Sequence, residues 1–177
     1  MGTAWTIAFD CAEPAVLAAF WRQALGYVEG APPAGSATWE EWLASVGVPP
    51  EEWGDGAYIG DPAGLRSAIS FLKVPEPKTT KNRVHLDVQT GGGRGEPQEV
   101  RWARVLEAVA RLTAAGATVV REDWQDGVPD HFVMPDPEGN EFCVRLGSTR
   151  PLRQRGPPQA RATSRVSRTT PCSQVRP

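Results

Sequence analysis

FVMPDPEGNEFCV, residues 132–144, decides the reading of this chain, because its turn Asp136-Pro137-Glu138-Gly139 has a counterpart in Asp61-Pro62-Ala63-Gly64. The two turns lie about 75 residues apart. Upstream of each are a short apolar strand and an amphipathic helix, and downstream of each is a further strand, the mark of an internal duplication. Where two copies of an open, curved sheet pack side by side they enclose a concavity, and that is where a ligand is expected.

Working outward from the turns, Trp5 to Cys11 alternates as a half-buried strand, with Ile7 and Phe9 on one face and Thr6, Ala8 and Asp10 on the other. Pro14 suits the first turn of a helix, Val16, Leu17, Phe20, Ala24 and Leu25 recur at helical spacing, and Gly26 follows as a C-terminal cap. Residues 29–60 are irregular, and Thr38 with Glu41 has the spacing of a capping box for a short helix over Thr38 to Val46. Arg66 to Val74 reads as a strand ended by Pro75 and Pro77. The second copy opens at Asn82 to Gln89, where Val84, Leu86 and Val88 alternate with Arg83, His85 and Asp87. A glycine-rich break at 91–95 then leads to a helical stripe from Trp102 to Leu112, and strands are predicted at Ala117 to Glu122, Phe132 to Met134 and Asn140 to Leu146. The break lacks the spacing of a phosphate-binding loop and reads as a linker.

At 177 residues and 40% hydrophobic content the chain has material for one domain with a substantial core. Residues 148–177 carry seven arginines, five prolines and no Asp or Glu, whereas the preceding body holds 21 acids against 12 Lys and Arg. The tail has too little apolar surface to order itself and is expected to be disordered; as a nucleic-acid contact it would lack any reader module, so that role is a minor one. No signal-like N-terminal stretch and no apolar run of membrane-spanning length is present, so the chain is expected to be cytoplasmic. Cys11, Cys143 and Cys172 are odd in number with no close pair, which suits reduced thiols.

The paired βαβββ units with their DPAG and DPEG turns resemble the vicinal oxygen chelate superfamily, which includes glyoxalase I, bleomycin-resistance proteins and extradiol dioxygenases. AVLAAFWRQALGY at 15–27, VPEPKTTKNRVHLDV at 74–88 and FVMPDPEGNEFCV at 132–144 look like its glyoxalase-like branch, common in bacterial genomes. The resemblance implies an α+β fold in which two βαβββ modules, about 4–77 and 82–147, form a curved mixed sheet around a cavity. In metal-dependent members four ligands come from the first and last strands of each copy. Carried over position by position they fall on Thr6, Leu72, His85 and Cys143, of which only His85 is a ligand type usual in the family.

His85 is therefore the candidate catalytic residue, as base, ligand or hydrogen-bond anchor, since imidazole exchanges protons near neutrality. His85 and Cys143 are the candidate ligands for a divalent ion such as zinc, nickel, manganese or iron, with an incomplete set that Glu141 or His131 could supplement. Thr6, Asp10, Leu72, Asp87 and Glu141 are the expected ligand-binding residues of the shared cavity, together with Ser70. Trp39 and Trp42, with Trp53, form either an aromatic lid over that cavity or a plug at the open end of the sheet. Lys78, Lys81 and Arg83 could attract an anionic substrate. The expected partner is a small molecule, either turned over as an oxygenated substrate or sequestered without catalysis as in the bleomycin-resistance members. Pairing of the copies within one chain or across a homodimer is open.

Overall fold

The computed structural model describes residues 5–93 and 95–147. The expected disordered tail, 148–177, lies outside the described residues. In the first module, β1 (Ile7–Cys11) leads to α1 (Pro14–Leu25), a two-residue strand β2 (Val28–Glu29), α2 (Trp39–Ser45), a 3-10 helix (Pro50–Asp55), β3 (Gly56–Gly60) and β4 (Ile69–Lys73). The second module runs β5 (Asp87–Gln89), α3 (Gln98–Ala114), β6 (Arg121–Gln125), β7 (Val128–Pro135) and β8 (Glu141–Arg145). Their sheets have the same order, β1-β4-β3-β2 and β5-β8-β7-β6. In each the outer pair β1/β4 or β5/β8 is parallel and the others antiparallel. The duplication is therefore real at the level of topology: two βαβββ units, each a separately hydrogen-bonded four-stranded sheet.

The local signals act as their chemistry predicts. Pro14 occupies the first turn of α1, and Gly26 at φ 68° closes it by donating its N–H to the Arg22 carbonyl. Thr38 Oγ1 accepts the Glu41 N–H at 3.1 Å while Glu41 reaches back to the N–H of Ala37 at 2.7 Å, one residue earlier than a strict capping box. In both DPxG turns proline pre-sets the second residue and glycine adopts positive φ, 66° at Gly64 and 85° at Gly139. Each aspartate accepts the N–H two residues on, from Ala63 at 3.2 Å and from Glu138 at 3.0 Å.

Beyond that shared local task the turns diverge. Asp61 spends its remaining acceptor capacity on its own loop, taking the N–H groups of Leu65 and Arg66, each at 3.1 Å. Asp136, only 4% exposed, also accepts from the Asn140 backbone and from the indole N–H of Trp21 in α1, the latter at 3.1 Å. Burial pushes its carboxyl pKa up, against the hydrogen bonds from Asn140, Trp21 and Glu138. Glu138 completes the junction by accepting the N–H groups of Ala12 and Glu13, both at 2.8 Å, just ahead of α1. The N-cap Glu13 makes no side-chain cap of its own, so a carboxylate from the other module answers the positive end of the helix. The core is continuous across the same junction: Phe20 and Trp21 of α1 stand edge-on to Phe142 of β8 at 5.7 and 5.2 Å between ring centres.

Two expected strands differ. Residues 82–89 were expected to be extended throughout, but only Asp87–Gln89 pair as β5, followed upstream by one bond from Cys143 N–H to the Leu86 carbonyl. The partner β8 begins at Glu141, and in the register of β5 residues 82–84 fall opposite the turn residues 138–140 rather than a strand. Val84 is accordingly 79% exposed rather than inward. The strand expected at 117–122 is shifted to Arg121–Gln125, and the residues ahead of it follow β7 through the N–H groups of Thr118 and Val120, which donate to the Pro135 and Val133 carbonyls.

The junction supplies a stability prediction. Asp136→Ala strips acceptors from the buried Trp21 and Asn140 donors and should cost about 3 kcal/mol, against about 1 kcal/mol for Glu138→Ala. Urea unfolding followed by tryptophan fluorescence reads both, and equal losses would contradict this ranking.

Candidate functional site

The polar chemistry sits on the face of the second sheet away from the helices. Phe132, Met134, Phe142 and Val144 point into the core, which by strand alternation puts His131, Val133, Glu141, Cys143 and Arg145 on the opposite face. Cys143 pairs in register with Asp87. One ligand atom each from His85, Asp87 and Cys143 lies within 4.8 Å of the other two. His85 is half exposed, with Nε2 at 3.7 Å from Oδ1 of Asp87. The other Asp87 oxygen accepts from Arg145 at 3.0 Å.

That separation is longer than a hydrogen bond and close to the roughly 3.4 Å between two ligands on one tetrahedral zinc. A Cys, His and carboxylate set suits zinc among the divalent ions, so the cluster fits a borderline-soft ion in donor type and number. The thiol is held protonated: burial first, then the Asp87 carboxylate, push Cys143 up to about 11, with Arg145 opposing. Cys11, the last residue of β1, is likewise pushed up to about 11, by burial first and then by Glu138, Asp10 and Asp136. Neither is a nucleophile at neutral pH.

The two supplements considered from sequence are otherwise engaged. Glu141 pairs with Lys81, whose hydrogen bond and then charge hold its carboxyl below the usual range. His131 has Nδ1 at 2.7 Å from Asp130 and Nε2 at 3.1 Å from Asp123, so both ring nitrogens face carboxylates.

The expected single cavity is divided. Asp10, His85 and Glu141 line a cleft of about 480 Å3 between β1 and the segment 78–86. Leu72 and Trp39 line a different cleft, also about 480 Å3, between α1, β3 and the insertion. Asp87 opens onto a third groove of about 750 Å3 beside Arg66 and Arg111. Thr6, Trp42 and Cys143 line none of these three. The tryptophans do not roof the inter-module cleft because the insertion folds back on its own sheet: Trp39 stacks on Tyr58 at 4.3 Å, and its indole N–H is taken by the Gly30 carbonyl.

Register also corrects the first-strand position. Asp10 pairs with Leu72 as Asp87 pairs with Cys143, so the counterpart of His85, two residues earlier, is Ala8 rather than Thr6. In the first module the ligand positions thus carry a methyl and an isobutyl group.

The sequence profile of the glyoxalase-like domain matches residues 6–145. The chain belongs to that family. Among solved structures, the hypothetical protein SA1046 from S. aureus superposes with a TM-score of 0.54 at 12% identity, covering 83% of this chain and 95% of that one. A fosfomycin resistance protein, FosX, from Listeria monocytogenes, in complex with Mn(II) and 1S,2S-dihydroxypropylphosphonic acid, superposes at 0.51 with 13% identity over 84% and 95% of the two chains. These likenesses speak for the fold. A protein of Salinispora tropica named alanine racemase is 30% identical over 107 residues, which are 59% of this chain and 27% of that protein. The chain therefore spans about a quarter of that relative's length. No helix among the described residues is long and apolar enough to cross a membrane.

For this glyoxalase-like domain the sequence pattern did not mark Asn82, which lines the inter-module cleft and whose buried Oδ1 has no partner among the described residues. An asparagine ahead of an alternating segment carries no signal of its own; only burial identifies it.

The thiol environment is testable. In a Cys172→Ser background, iodoacetamide should label Cys143 and Cys11 slowly at neutral pH. Labelling should climb steeply only as pH approaches about 11. Rapid labelling of Cys143 at neutral pH would contradict the placement described.

Proposed function

We propose that the domain binds a small oxygenated organic molecule in the cleft between β1 and residues 78–86, with His85 as the side chain that exchanges a proton with it or anchors it. The observation that carries this reading is the Asn82 carboxamide oxygen, buried without a partner among the described residues at a cleft of about 480 Å3, where a ligand hydroxyl or amine would satisfy it. Lys78, Lys81 and Arg83 line the same cleft. With Lys81 committed to Glu141, Lys78 and Arg83 favour a ligand bearing negative charge, against the single carboxylate of Asp10.

If an ion takes part, His85, Asp87 and Cys143 would hold it, and it would polarise a ligand oxygen as a Lewis acid. Asp10 on the facing strand, with Asn82 and His85, orients the ligand, and Trp21 backs the cleft with apolar surface. A second reading, sequestration without turnover, is favoured by one feature: Ala8 and Leu72 offer no donor atom, so the first module adds nothing to an ion's coordination.

Elemental analysis after incubation with zinc, nickel, manganese and ferrous iron separates the two. The Cys, His and Asp donors should retain about one zinc per chain, and both His85→Ala and Cys143→Ser should lose it. If wild type retains no zinc, the ion-assisted form falls and the sequestering reading stands.

A further inference from the structure

The insertion between β2 and β3 has built a site of its own, separate from the inter-module cleft. Its walls are the rings of Trp39, Trp53 and Tyr58, and its floor is apolar, from Ala18, Leu43 and Ile59. Around this lining stand Glu29, Glu40, Glu52 and Asp55, with Arg22 as the one cationic side chain. Asp55 is paired with Lys73 at 3.1 Å. Among the described residues Glu29, Glu40 and Glu52 make no ion pair, and none of them joins Arg22. The cavity thus has a net negative rim around aromatic walls.

The hydrogen bonding of the rings narrows the ligand further. Trp39 donates its indole N–H to the Gly30 carbonyl at 2.8 Å, and Trp53 donates its own to the Val48 carbonyl at 3.0 Å. Both donors are consumed by backbone, which fixes the orientation of the indoles and leaves ring surface as what they offer a guest. Tyr58 lies flat against Trp39, with an interplanar angle of 10°, and Trp42 braces Trp39 edge-on at 88°. Such stacking holds the wall rigid before any ligand arrives. The face of an aromatic ring carries negative charge density and attracts cations, and free carboxylates do the same. Ring faces and carboxylates therefore select the same charge, and a volume of about 480 Å3 admits a molecule of drug size.

From this we infer that the first module carries a second binding site, between α1, β3 and the insertion, for a planar organic cation. It differs in charge preference from the basic cleft beside His85. The two sites share no lining residue, so each can be filled without the other.

Isothermal titration of the full chain with N-methylquinolinium and with quinoline, nearly the same shape but neutral in weakly alkaline buffer, tests the assignment. The cation should bind about tenfold or more tighter than quinoline. In the Glu40→Gln/Glu52→Gln double variant, whose side chains are exposed and whose folding should be unaffected, the cation should lose about tenfold in affinity while quinoline changes little. Trp53→Leu should weaken both probes, and His85→Ala should leave both unchanged. Equal affinity for the two probes, absence of binding by either, an unaltered cation affinity in the double variant, or its loss in His85→Ala would each overturn the site.

Discussion

Much of this structure depends on one buried carboxylate. Asp136 is a turn-former by sequence, yet its second oxygen is held by the Trp21 indole of the other module, and its neighbour Glu138 answers the N-terminal end of α1. Such a carboxylate is costly to bury and is kept because every donor around it would otherwise be orphaned. The contact locks the second turn against the first helix, aligns Phe142 with Phe20 and Trp21, and so joins two separately hydrogen-bonded sheets through one core. Because β8 starts only after this turn, residues 82–84 have no strand opposite them, β5 is short, and the segment 78–86 walls a cleft beside β1.

The duplicated turn does unequal work in its two copies for a simple reason. The third residue is Glu138 in one and Ala63 in the other, and a methyl group cannot answer a helix terminus. The same inequality runs through the strands. The second sheet bears an alternating network of polar side chains, Arg121 to Asp123, His131 between Asp123 and Asp130, and Arg145 between Asp130 and Asp87. The first sheet offers Ala8 and Leu72 at the corresponding register and gains its chemistry from the insertion instead. One module has kept polar strands and the other has acquired aromatic walls, so the duplication no longer frames a symmetric centre.

Most of the fold was legible in the sequence because its signals are local: alternation in β1, Pro14 and Gly26 bounding α1, the Thr38 cap, and the paired DPxG turns. The errors came where pairing partners decide. Alternation over 82–89 is a sound strand pattern, but a strand also needs a partner, and in the register of β5 residues 82–84 face the turn that precedes β8. At the site, His85, Asp87 and Cys143 were each named from the sequence and do converge. Thr6 was placed two residues out because spacing along a strand does not reveal register.

By itself, then, the sequence determined the repeated unit with its DPxG turns, the inward face of strands such as β1, β4 and β8, and the residues able to carry chemistry, since all of these follow from backbone preference and side-chain type along a short stretch; β2 and β3 lie in or beside the stretch 29–60 that carries no strand pattern. Only the tertiary structure decided how the copies lock together, that the cavity is divided, that His131 and Glu141 are already engaged by partners, and that the carboxamide oxygen of Asn82 is buried without one among the described residues. Those depend on which distant groups meet, and a hydrogen bond or an ion pair between residues more than a hundred positions apart, as between Trp21 and Asp136, leaves no trace in the local pattern of either.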